Sequence, residues 1–260
     1  MLRYRKEKTM FKSVDFYYFS PTGGTKKAGE ALARALAETV NEFDLAVGAV
    51  SAPCSELVVV AAPVFGGRIP ALVSEKIAKL NGSGRKAVTA VVYGVRAYED
   101  ALLELNDAME SSGFEPVASA ALVAQHSIVP ELGAGRPDAA DTAEIQQFAK
   151  RVLNALEGGK AATITVPGNR PYKDGMKVPA TPISLPSCGA CGLCAAVCPT
   201  GAISITDEGV TTDIGKCIMC MACTAKCPAQ ARVLPPALQT AMAQKLGALR
   251  DVYRENEFFE

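Results

Sequence analysis

The chain has no excess charge of either sign: 27 lysines and arginines balance 27 aspartates and glutamates over 260 residues. It also lacks a basic stripe with interleaved aromatics, the footprint that a nucleic-acid surface needs, so no nucleic-acid partner is expected. Long apolar runs are missing as well. "VDFYYFS", "ELVVVAAPVFGG" and "KAVTAVVYG" fall short of the ~18 to 20 residues that cross a bilayer, and charges flank each one. No apolar stretch with a small-residue cleavage site opens the chain, so its start does not read as a secretory signal. The first twelve residues, with five cations against one acid, read as a frayed start. Histidine is nearly absent, with His126 alone. No catalytic triad and no nicotinamide-binding fingerprint can be found. A soluble, cytoplasmic protein with no membrane partner is expected, in a compartment where thiols stay reduced.

Cysteine, by contrast, is plentiful at nine residues. In a reducing compartment that number points to metal or redox chemistry and away from a disulfide framework. With 49% hydrophobic and 21% charged residues, the chain can bury an ordinary core.

Its texture changes near Gly159. From 12 to 159, short apolar runs alternate with helical periodicity. "SVDFYYFS" precedes "KKAGEALARALAE", where Ala28, Ala31, Leu32, Ala35 and Leu36 share a face. "NEFDLAVGAV" supplies a short strand, and "ELVVVAAPV" reads as a strand buried on both sides. "KAVTAVVYG" then precedes "YEDALLELNDAME", and "PVASAALVA" precedes "AEIQQFAKRVLNAL". Five strands interleaved with helices predict an α/β fold with a doubly wound parallel sheet. Residues 160–184 form a proline-rich linker that should lie extended over this domain. Residues 185–234 hold the cysteine repeat. The segment 235–260 places Leu238, Met242, Leu246 and Leu249 on one face and reads as a docking helix.

The repeat is "CGACGLCAAVCP" followed 29 residues later by "CIMCMACTAKCP", two copies of C-x2-C-x2-C-x3-C-P. A 4Fe–4S cube needs a thiolate at each of four corners. Three cysteines spaced by two residues wrap three corners of one cube. The fourth crosses to the cube of the other copy. Cys188, Cys191, Cys194 and Cys227 are therefore assigned to one cluster, and Cys217, Cys220, Cys223 and Cys198 to the other. Small fillers such as Gly189, Ala190, Gly192 and Ala222 let backbone N–H groups approach sulfur. "GAISITDEGVTTDIGKC" predicts a hairpin about Glu208–Gly209 that covers the clusters with Ile203, Ile205 and Val210. Zinc sites use two pairs separated by a longer loop, which this spacing does not match. The region resembles the bacterial two-cluster ferredoxins at every ligand position. Cys54, the ninth cysteine, reads as a buried, inert thiol.

"YYFSPTGGTKK" puts small and hydroxyl residues between a strand and a helix, where free N–H groups and the helix dipole favour an anion. It has no P-loop lysine and no dinucleotide glycine spacing, so a single phosphate held by uncharged donors fits it. From Ser20 through Thr22, Gly23 and Gly24 to Thr25 it resembles the phosphate loop of the flavodoxin family, S/T-x-T-G-x-T. That resemblance implies FMN, with its ring between the loops after the third and fourth strands. Here those loops are Ala62 to Pro70, containing Pro63, Val64, Phe65, Gly66 and Gly67, and Tyr93 to Asp100, containing Gly94, Arg96 and Tyr98. Phe65 and Tyr98 (or Tyr93) would stack. Arg96 stands where flavodoxins usually carry an acid near the glycine, and a cation there favours an anionic reduced flavin. A scaffold that binds no flavin and serves only for docking is the other reading of this half. His126 follows the fifth strand and is either an ordinary hydrogen-bonded side chain or a group acting beside the flavin.

The whole resembles ferredoxins with an N-terminal flavodoxin-like region. It implies a flavodoxin-like five-stranded sheet followed by a small α+β two-cluster ferredoxin domain, carrying two [4Fe–4S] clusters and FMN. An electron-transfer protein serving redox partner proteins is favoured over a small-molecule reductase and over a docking module. The cysteine half, residues 187–234, has three cations and three acids, so a strongly acidic docking face is not expected. A homodimer would offer a second way to bring flavin and clusters together.

Overall fold

The structure is a computed structural model that describes residues 10–158, 164–177, 179–207 and 209–260. The basic start, the junction at Gly159 and Glu208 of the expected hairpin turn lie outside the described residues.

Its N-terminal elements are β1 (Phe11–Tyr18), α1 (Gly24–Leu36), β2 (Ala37–Asp44), β3 (Leu57–Pro63), α2 (Ala71–Ile77) and β4 (Lys86–Tyr93). Then come α3 (Ala101–Ser111), β5 (Glu115–Val123) and α4 (Ala139–Glu157). The cysteine half holds β6 (Ile183–Ser184), α5 (Leu193–Ala196), β7 (Ile203–Thr206), β8 (Gly209–Thr212), α6 (Ala222–Ala225) and β9 (Arg232–Val233). The chain closes with α7 (Pro236–Leu246) and β10 (Glu257–Phe259).

The five parallel strands run β2-β1-β3-β4-β5, and β10 adds antiparallel to the free edge of β5, giving six strands in all. The parallel order is the flavodoxin-like doubly wound arrangement, with its topological switch point between β1 and β3. β3 is central, and all seven of its residues are buried. Its side chains alternate: Leu57, Val59 and Ala61 pack under α1 and α4, whereas Val58, Val60 and Ala62 pack under α2 and α3.

Two elements depart from the sequence reading. β2 starts at Ala37, directly after α1, and ends at Asp44, before "LAVGAV" begins. Ala37 and Glu38 have helical propensity, but pairing of Ala37 with Phe11 takes them into the sheet. As an edge strand with one solvated face, β2 also shows no apolar run. The sheet moreover has a sixth strand, where the sequence implied five. The final segment is helical only in its first part, and three residues too short to leave a periodicity then cap the sheet. Asn256 anchors that strand, accepting the Val123 N–H at 2.9 Å and donating to Asp141 at 2.8 Å and Glu144 at 2.7 Å. Phe258 lies on Phe148 at 4.7 Å between ring centres.

The cysteine half packs onto the α2/α3 face. Met219, Met221, Leu234 and Leu246 are all buried in that apolar cluster, with Leu238, Met242 and Leu249 against it.

Candidate functional site

α1 begins with unspent donors. Of its first backbone N–H groups, that of Gly23 goes to the Ser20 carbonyl at 3.4 Å and that of Lys26 to Ser20 Oγ at 2.8 Å. Those of Gly24 and Thr25 find no acceptor among the described residues, and no acid occupies the first turn. Gly23 sits at φ +95°, a conformation natural only to glycine, which turns the loop so that these donors face outward. Both nearby lysines are engaged elsewhere, Lys26 with Glu42 at 2.6 Å and Lys27 with the Pro137 carbonyl at 2.5 Å. An anion here would meet neutral donors and the helix dipole.

These donors border a cavity of about 500 Å³ at the C-terminal ends of β1, β3, β4 and β5. Thr22, Gly24 and Thr25 line it from the first loop, Pro63, Val64, Phe65 and Gly66 from the second, and Tyr93, Gly94 and Arg96 from the third. Ser20 and Gly23 shape the loop from behind. Gly67 uses its carbonyl to accept the Asp100 N–H at 3.0 Å. Tyr98 does not line the cavity: its ring is buried edge-on to Tyr93, and its hydroxyl donates to Glu257 at 2.7 Å. Phe65, half-buried and edge-on to Phe19, remains as an aromatic wall.

Arg96 is not a free cation. It pairs with Glu99 at 2.6 Å, and Glu99 also accepts from Lys173 at 2.7 Å. The Arg96 hydrogen bond, against the opposing effect of burial and with help from Lys173, holds the Glu99 carboxyl below the usual range. Sequence reasoning saw the arginine but not the acid three residues on that offsets it.

His126 joins the cavity from the β5 loop. Its Nδ1 accepts the N–H groups of Ile128 and Val129, both at 3.1 Å, which places the ring proton on Nε2. Its imidazole lies so close to Gly94 that a Cβ there would come within 2.7 Å of it. Burial, and then Arg96, hold its pKa below the ordinary value, so the ring is neutral near pH 7.

The linker closes over this cavity. Residues 173–177 line it, and Met176 Cβ lies 2.9 Å from where a Cβ on Gly66 would stand. The strap is fastened by Arg68, which donates to the Lys173 carbonyl at 2.6 Å, and by Asp100, which accepts the N–H groups of Asn169 and Lys173. Met219 and Cys220 of the second cysteine loop line the same cavity.

The two cysteine loops repeat in backbone as well as in sequence. Ala190 and Met219, then Gly192 and Met221, then Gly201 and Gln230 take positive φ at equivalent positions. The Ala202 N–H points at Cys198 Sγ and the Ala231 N–H at Cys227 Sγ, each at 3.3 Å. All the cysteines are unpaired. Burial pushes the Cys220 thiol up to about 12, and Cys223, Cys198 and Cys217 are the neighbouring thiols that add to it. For Cys227, N–H groups of Ala231, Arg232 and Ala229 outweigh desolvation and draw the thiol down. Among the described residues one buried side-chain N or O has no partner: Nε of Arg232, in the strand that packs against the helix of Cys223 and directly follows Ala231, whose N–H points at Cys227 Sγ. An orphaned cationic donor beside thiolate ligands fits an anionic cluster.

The hairpin of β7 and β8 pairs Thr206 with Gly209. Ile203 and Val210 pack with Cys194, Cys198 and Cys223, whereas Ile205 is exposed, in contrast to the sequence expectation. Cys54 also departs from it. Its side chain is exposed and its thiol lies 3.5 Å from Asp15, because the buried Asp15 carboxylate takes the N–H groups of Cys54 and Ser55 and turns the loop outward.

Comparison with known proteins bears on the cysteine half directly. Residues 187–231 match the 4Fe-4S dicluster domain family. This dicluster region contains all eight repeat cysteines. No curated protein matches the chain. Among solved structures, rubredoxin oxygen:oxidoreductase from Desulfovibrio gigas is similar over 60% of this chain at 17% identity and TM-score 0.43. The match spans 39% of that protein's length. The flavodoxin of Streptococcus pneumoniae TIGR4 is similar over 55% of this chain and 99% of its own, at 19% identity and TM-score 0.41. A flavodoxin from the domain Archaea gives 56%, 99%, 16% and 0.37 on the same measures. The fold assignment rests on the observed strand order. The dicluster match supports a redox, electron-transfer role. Among the described residues no helix is long and apolar enough to cross a membrane.

Proposed function

We propose that this chain is an electron carrier that passes electrons between two [4Fe–4S] clusters and an FMN held in the cavity, within one chain. The observation that carries this reading is the shared wall: Met219 and Cys220 of the dicluster region line the cavity bordered by Thr25, Phe65 and Gly94. The cubes exchange electrons singly and FMN singly or in pairs, so together they join one- and two-electron chemistry.

The chain's own groups have distinct tasks. Gly24 and Thr25 N–H groups, with the Thr22 and Thr25 hydroxyls, would hold the phosphate. Phe65 and Gly94 would bound the ring, and His126 presents a neutral Nε2–H to the cavity. Strap residues 173–177 exclude water from one side, which strengthens every polar contact inside. Cys217, Cys220, Cys223 and Cys198 would hold the cube beside the flavin, and Cys188, Cys191, Cys194 and Cys227 the cube beyond it. Redox partner proteins would then deliver electrons to the outer cube, where Cys191 is exposed.

Anaerobic isolation followed by iron, sulfide and flavin analysis tests the composition. About eight irons and one FMN per chain are expected. Intact clusters without flavin binding would overturn the FMN site and leave the dicluster region standing.

A further inference from the structure

Arg232 is 2% exposed, yet among the described residues it has no carboxylate partner. Its guanidinium spends Nη1 on Ser184 Oγ at 2.9 Å, and Nη2 on the Pro182 carbonyl at 2.9 Å and Thr212 Oγ1 at 2.6 Å. All three are neutral acceptors. Nε is buried with no acceptor at all. Burying an arginine against neutral groups alone is costly, since a guanidinium cannot shed its proton to escape the penalty. Some anion must therefore lie where the protein supplies none.

The cysteines around it show where. Arg232 directly follows Ala231, whose N–H points at Cys227 Sγ at 3.3 Å, and its strand β9 packs against α6, the short helix that carries Cys223. Under the ligand assignment these two thiolates belong to different cubes. We infer that Arg232 is the internal counter-cation of the dicluster region, set between the two cubes, its buried Nε–H donated to cluster or thiolate sulfur, and that it raises the reduction potentials of both. Each reduction adds one negative charge to a cube, and a fixed cation in a dry, low-dielectric setting favours the more negative state. Ser184, Pro182 and Thr212 fix the fork in position and leave its charge unspent. The dicluster region as a whole has no net charge, so this is a local device that net composition hides.

The inference rests on the two-cluster reading, and its test separates the two. Full-length wild type, Arg232→Lys and Arg232→Gln are isolated anaerobically, their iron is counted, and their clusters are titrated with dithionite under EPR. Arg232→Gln should keep its irons and shift both cubes to more negative potentials. Loss of a hydrogen bond to a charged group is worth about tenfold in the reduced-to-oxidised ratio at fixed potential, or about 59 mV per electron. Arg232→Lys should stay near wild type. Unchanged potentials in a fully loaded Arg232→Gln would overturn the inference and leave the clusters standing, whereas wild-type protein without iron would overturn both. Should Arg232→Gln fail to assemble clusters, Arg232→Lys decides. Loading with near-wild-type potentials supports the counter-cation, and equal failure shows that the fork serves packing alone.

Discussion

Asp100 Oδ2 accepts the backbone N–H of Lys173 at 2.7 Å, across 73 residues of sequence. That bond, with the Asn169 N–H on Oδ1 at 2.8 Å, ties the linker to the start of α3 and lays it over the cavity at the C-terminal ends of the strands. The carboxyl lies below its usual range, owing first to the Lys173 N–H, with desolvation opposing and Asn169 assisting. In Asp100→Ala both N–H groups lose their acceptor and the strap should loosen. FMN release, followed by recovery of flavin fluorescence, is expected to quicken by about tenfold, with iron content unchanged. An unaltered release rate would show that the strap does not retain the flavin.

The phosphate loop gives a second test. Thr22→Val with Thr25→Val removes two hydroxyls and leaves the free N–H groups of Gly24 and Thr25 in place. FMN affinity should fall by roughly tenfold to a hundredfold, measured by titrating apoprotein with FMN. Riboflavin, which has no phosphate, should bind wild type and variant alike. Equal FMN affinity in the two proteins would remove the hydroxyls from the site.

Acid stability should turn on Asp141. It is 1% exposed and paired with Arg136, and it also accepts from the Asp138 N–H and from Asn256. Desolvation raises its pKa, but Arg136 and these donors together hold it below the ordinary 3.8. A carboxyl depressed in the folded state adds stability that is complete above its unfolded pKa and fades as pH falls through the folded value. Asp141→Asn should therefore flatten the loss of stability below about pH 4. At neutral pH it leaves Arg136 buried without its acid, a destabilisation of about 3–5 kcal/mol by denaturant titration. A variant as stable as wild type at pH 7 would contradict the pair's role in fastening β10.

Cys191→Ser should disturb more than one cube. Under the proposed ligand assignment its cube also takes Cys227, which follows the loop of Cys217, Cys220 and Cys223, so loss of one ligand should loosen both halves of the repeat. Iron content should drop and the melting transition of the dicluster region should fall. Full iron with unchanged melting would refute the ligand assignment.

The parts of the molecule legible in sequence were those with a period or a tight motif. Eight cysteines at fixed spacing announce their chemistry because few other structures need them so placed. Likewise Ser20–Thr25 combines strand, small residues and helix in one window. β3 and α4 were legible from their apolar patterns. Arg232 was not, since one arginine in "AQARVLPP" gives no hint that its partners are Ser184, Pro182 and Thr212, up to 50 residues away. Tyr98 looked like a stacking residue by position, but Glu257 draws its hydroxyl into the core through a strand too short to read. Arg96 looked like a free cation until Glu99 and Lys173 came beside it. Each of these depends on a contact that forms only once distant segments meet, and periodicity carries no record of such contacts.

On the proposed function, electrons cross the wall formed by Met219 and Cys220 inside a single chain. Rapid mixing of loaded, oxidised protein with limiting dithionite, at several protein concentrations, measures this most directly by following flavin bleaching after the clusters are reduced. A first-order rate independent of protein concentration is expected. A rate that rises in proportion to concentration, or clusters that stay reduced beside oxidised flavin, would contradict it.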